Sequence, residues 1–197
     1  MRVRAVPELG DRYVGSVEYM GEGRVLVGVE AEGWGSDRSM VCYELDGGRP
    51  LREGESAPFL GLLELGASAV DGSVRYVTCF PEATPALLGP LPPQALSPER
   101  GVRLRGLEGL RRLADGPRLG LIEGHNILFR LRLSGRDLMV ERVGMRGFPE
   151  AYALGSRASL LLRSGRICGL ALRDIGEAGL SALADARLLP STRATGW

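Results

Sequence analysis

Short apolar runs that alternate with polar residues recur along most of this chain, and glycine-bearing turns bound nearly all of them. A period of two puts one side of a run against a core and the other against solvent, the pattern of a half-buried antiparallel strand. Residues 24–30 set Val25, Val27 and Val29 on one face, and residues 13–19 are the expected partner across Met20-Gly21-Glu22-Gly23. Residues 39–45 predict a further strand, closed by Asp46-Gly47-Gly48, and Asp71-Gly72 predicts a hairpin between 62–70 and 73–80. Residues 126–133 carry Ile127, Phe129, Leu131 and Leu133 inward and Leu128, Arg130 and Arg132 outward. Turns at 134–137 and 164–166 predict two more hairpins, and their shared Ser-Gly-Arg triplet suggests a faint internal repeat.

Three segments depart from this pattern. Residues 81–98 hold six of the 12 prolines, which fits neither a long helix nor a central strand. An irregular wrap is expected there, with Leu87, Leu88, Leu91 and Leu96 packing along the body. Ser97-Pro98-Glu99 has the form of a helix start, and Leu107, Leu110, Leu113 and Ala114 follow at helical spacing. Near the C-terminus, Asp174 and Glu177 match a D-x-x-E cap, Leu180, Leu183, Ala184 and Leu188 form a stripe, and Pro190 ends it. The expected fold is α+β: mainly antiparallel β-sheet, in hairpins or small barrels, with a helix after residue 97 and a C-terminal helix. The expected organisation is an acidic β-rich domain over 1–80, a proline-rich linker or wrap over 81–98, and a basic α+β domain over 99–197.

Composition removes whole classes of chemistry. The chain has no lysine, so all 25 basic residues are arginine, and it has one histidine. An ordinary P-loop needs a lysine on its phosphates, and Schiff-base chemistry needs an amine of low pKa, which arginine cannot supply. A zinc site built from several histidines is excluded as well. The missing lysine and the scarcity of Asn and Gln fit a GC-rich genome and a hot habitat. Cys42, Cys79 and Cys168 form no C-x-x-C pair and sit in apolar stretches, which points to buried, inert thiols in a reducing compartment. With no apolar run long enough for a membrane span and no secretory signal, a cytoplasmic protein that needs no cofactor or metal is expected.

The formal charge of +1 hides a split. Residues 1–98 carry 8 Arg against 14 acids, and residues 99–197 carry 17 Arg against 10 acids. Such an asymmetry suits docking between oppositely charged faces, or a nucleic-acid surface. The leading expectation is therefore a soluble, intracellular, non-catalytic binding protein or accessory subunit with a protein partner or a second copy of itself. The first alternative is an RNA- or DNA-binding protein using Arg100, Arg103, Arg105, Arg111, Arg112, Arg118, Arg130 and Arg132 against phosphates. Phe129 is the one aromatic within that set, and its alternation faces it inward. The second alternative is a hydrolase or nuclease using His125, or the paired acids Glu30 and Glu32 or Glu53 and Glu55. Gly21, Gly23 and Gly28 make no nucleotide fingerprint, because a strand and not a helix follows them.

Overall fold

The valine alternation at residues 24–30 builds a strand, as its spacing predicts. In the computed structural model, which describes residues 2–6, 13–33, 40–45, 63–68, 70–81, 84–96, 100–105 and 127–189, β1 is Arg2–Val6, β2 Tyr13–Gly21 and β3 Arg24–Ala31. Then come β4 (Met40–Leu45), β5 (Leu63–Ser68) and β6 (Val74–Cys79). The proline-rich segment holds a two-residue strand, β7 (Leu87–Leu88), and one helical turn, α1 (Pro93–Leu96). The second half contributes β8 (Gly101–Arg105), β9 (Phe129–Ser134), β10 (Asp137–Arg142), β11 (Glu150–Ala153), β12 (Ala158–Arg163), β13 (Arg166–Leu172) and α2 (Gly176–Asp185). The fold is β-rich α+β, with two helices among the described residues.

The strands form a five-stranded sheet, β2-β3-β6-β5-β4, and an eight-stranded sheet, β1-β8-β11-β12-β13-β10-β9-β7. Every pairing in the smaller sheet is antiparallel. The larger one is mixed, because β11 meets β8 and β7 meets β9 in parallel. One apolar core joins them: Val25, Val27, Val29, Leu63, Leu65 and Val77 from one sheet meet Phe129, Leu131, Leu160, Leu162 and Leu170 from the other. Each such side chain contributes about 1.5–3 kcal/mol on full burial, so this layer holds the sheets face to face. The Asp71-Gly72 turn adds a polar tie. The Leu104 N–H donates to the Gly72 carbonyl at 2.7 Å, and a Cβ at Gly72 would lie 1.9 Å from the Leu104 oxygen. Only glycine permits that approach.

The larger sheet is also covered at the centre of its outer face. Leu91 and Ala95 of the proline-rich segment pack on Met139, Leu161, Cys168 and Ala171. Leu91 is buried there and Leu96 partly so, while Leu87 and Leu88, also expected to pack along the body, stay exposed on β7. Between β12 and β13 the register shifts at Leu161/Leu162. This bulge lets Ile167 and Leu170 both face the core, although they are three residues apart. Gly169 sits in it at φ +152°, where a Cβ would lie 1.9 Å from the Val140 oxygen.

Three local expectations are corrected. Residues 101–105 do not continue a helix from Ser97; they form β8, antiparallel to β1. Val102 and Leu104 alternate toward the core, and that period outweighs the cap-like signature before it. The stripe from Leu107 to Ala114 lies outside the described residues. At the C-terminus, Ile175 is the N-cap and makes no side-chain cap bond, and Asp174 sits one position earlier at φ +50°. Its carboxylate faces Arg136 and Arg157 instead. The buried face of α2 is Gly179, Ala182 and Leu183, with Ala184 exposed, a small rotation from the expected stripe. Finally, the two Ser-Gly-Arg triplets are not equivalent. Ser134 pairs with Asp137 across Gly135-Arg136, whereas Arg163 pairs with Arg166 across Ser164-Gly165.

Candidate functional site

The predicted basic residues separate into distinct places. Arg103 lies on β8 and reaches Asp71 at 3.8 Å, so it serves the junction between the sheets. Burial alone would raise the Asp71 pKa, but hydrogen bonds from the Ser73 side chain and backbone, with the charges of Arg103 and Arg75, outweigh it and lower it. Arg100 is exposed just before β8, and Arg105 is the last residue of that strand. Arg130 and Arg132 are on β9, five strand positions away across the sheet, or about 24 Å at ordinary strand spacing. The structure therefore does not bring these two groups together. Arg111, Arg112, Arg118, His125, Glu53 and Glu55 lie outside the described residues.

A different cluster forms at one end of the eight-stranded sheet. The register sets Glu141 opposite Arg130 and Gly169, Arg142 opposite Phe129, Arg163 opposite Arg166, and Glu150 opposite Leu162. The loop from β10 to β11 adds Arg146 at the same end. Glu141 is the acceptor at the centre: its Oε1 lies 3.0 Å from Arg132 Nη2, and its Oε2 lies 3.1 Å from Arg163 Nη2. The Arg163 side chain is only 10% exposed, and its Nη1 donates to the Met145 carbonyl, which pins the β10–β11 loop to the sheet. The buried Nε atoms of Arg132 and Arg163 have no hydrogen-bond partner. Two guanidinium groups share one carboxylate, so the triad keeps a positive charge. Arg130, Arg142, Arg146 and Arg166 make no ion pair with any described residue. Six arginines thus stand against two glutamates at this end, and Glu150 already accepts a hydrogen bond from Tyr152 at 2.9 Å.

The loop also presents Phe148, which is 86% exposed, close in sequence to the half-exposed Val143. The chain matches no protein family and no curated protein. Phe148, Arg142, Arg146 and Arg166 stood outside the basic set read from the sequence. The available signal was Gly144-Met145-Arg146-Gly147-Phe148-Pro149, where an aromatic sits in a glycine- and proline-bearing loop with no alternating neighbours to bury it.

Other chemistry in the described residues is quiet. Burial raises the Cys79 thiol well above its usual range. It pushes Cys168 up to about 12, where nearby Arg163 lowers it and Glu141 raises it less strongly. Neither is a nucleophile at neutral pH. Among the described residues no group of three or more His, Cys, Asp or Glu is placed to hold a metal, and no helix is long and apolar enough to cross a membrane. A cavity of about 260 Å³ lies between β2 and the start of α2, lined by Tyr13, Ser16, Arg157, Leu172, Asp174 and Ile175. Its polar groups are largely committed internally. Tyr13 donates to the Val74 carbonyl at 2.8 Å, and Asp174 pairs with Arg136 and Arg157.

Proposed function

We propose that the protein is a non-catalytic binding protein or accessory subunit that docks an anionic partner on the basic end of its eight-stranded sheet. The observation that supports this most is the set of arginines left without acids, Arg130, Arg142, Arg146 and Arg166, around the exposed ring of Phe148. Arg130 lies opposite Glu141 on the outer face and Arg142 opposite the inward Phe129, so the arginines meet at the sheet end rather than on one face. Guanidinium groups without ion pairs at one sheet end repel one another, and a complementary partner relieves that repulsion. The Arg132–Glu141–Arg163 triad and the Met145 anchor hold this surface on a rigid sheet, the arrangement that binding needs.

Chromatography on immobilised heparin, a polyanion, tests the reading. The wild-type chain is expected to be retained and to elute only with added salt. The Arg142→Glu, Arg146→Glu double variant is expected to elute at clearly lower salt with an unchanged circular dichroism spectrum. Equal elution of the two proteins would show that this end of the sheet does not carry the anion-binding surface.

A further inference from the structure

The basic end of the sheet fits one class of partner better than others. A protein–protein interface concentrates its apolar residues at the centre and pushes charge to the rim. Here the centre is charged, and Phe148 and Val143 are the large exposed apolar side chains of the loop beside it. A single-stranded nucleic acid makes the opposite demand. Its phosphates need guanidinium forks along a track, and each unpaired base offers a flat face to an aromatic ring. A duplex satisfies only the first of these, because its bases are already stacked and paired.

Building on the proposed anion-docking role, we propose that the partner is single-stranded RNA or DNA, with its backbone along Arg130, Arg142, Arg146 and Arg166 and one base stacked on Phe148. Three features carry this. The ring is 86% exposed, so its face is open to a base. It sits between Gly147, at φ +84°, and Pro149, whose ring fixes its own φ. Arg163 bonds the loop to the sheet through the Met145 carbonyl, which fixes the ring relative to the strand arginines. The Arg132–Glu141–Arg163 triad adds a net positive charge at the same end, with both oxygens of Glu141 taken.

Fluorescence anisotropy tests this with the full chain, cleared of bound nucleic acid. The probes are a labelled single strand of about 20 nucleotides and its duplex, at about 50 and 200 mM salt. The single strand is expected to bind more tightly than the duplex. The logarithm of its association constant should fall against the logarithm of salt with a slope of about −3, the value for four phosphates on a single strand. Phe148→Ala should weaken single-strand binding about tenfold and leave the slope unchanged. Arg142→Gln with Arg146→Gln should bring the slope to about −1.5. No binding at the lower salt would overturn the proposal, as would duplex binding equal to single-strand binding with Phe148→Ala unaffected. A photo-crosslinking residue at position 148 separates the two levels of the argument. Crosslinks to protein alone in cells would overturn the nucleic-acid partner while keeping the docking surface. Absence of crosslinks together with unchanged heparin elution of the charge-reversed variant would remove both.

Discussion

At the scale of single residues, the arginines of this chain are not interchangeable. Arg103 is spent on Asp71, Arg132 and Arg163 share Glu141, and Arg130, Arg142, Arg146 and Arg166 pair with no described acid. A sequence whose only strong cation is arginine gives no hint of which is which, because pairing depends on register and not on composition. The inward placement of Phe129 was legible from alternation, and so were the buried thiols of Cys79 and Cys168. Gly72 and Gly169 were not, since the carbonyl that each must admit comes from a distant strand. Asp71 makes a pH-dependent prediction. Its pKa is lowered in the folded chain, so its contribution is present above the unfolded value near 3.8 and is lost as pH falls through the folded value. Wild type should therefore exceed Asp71→Asn in urea midpoint at neutral pH, and the gap should close below about pH 4. A gap that persists unchanged at the acid end would mean the Asp71 charge contributes nothing.

At the scale of elements, period-two alternation located the hairpins β2–β3, β5–β6, β9–β10 and β12–β13, because one buried face leaves a strong mark on sequence. Partner choice between distant strands left no such mark. Nothing at residues 2–6 indicates pairing with β8, and nothing in Leu87-Leu88 indicates a parallel strand beside β9. The β10–β11 loop is the element that matters most for the site, and Arg163 is its anchor. Arg163→Met keeps most of the apolar stem but removes the bonds to Glu141 and to the Met145 carbonyl. The expected cost is about 1–3 kcal/mol of stability, read from the urea midpoint. Faster amide exchange should accompany it over residues 143–149. An unchanged midpoint and unchanged exchange would show that the loop holds its shape without that arginine.

At the scale of the whole molecule, the two sheets close on one apolar core that takes residues from both halves of the chain, and α2 with the residue that caps it adds Ala182, Leu183 and Ala186. The proline-rich stretch covers the outer face of the larger sheet at Met139, Leu161, Cys168 and Ala171, and Arg146 and Arg166 at the sheet end beside it are exposed. The opposite charges of the two halves were legible by counting. Their concentration at one sheet end was not, because it follows from a strand order that brings β9, β10, β12 and β13 into one neighbourhood. Hydrogen–deuterium exchange of the full chain, alone and with a single-stranded oligonucleotide, tests this placement most directly. The account predicts new protection over residues 128–131, 142–149 and 163–167, and none on β2, β3 or α2. Protection confined to the smaller sheet or to α2, with the arginine-bearing end unchanged, would contradict it.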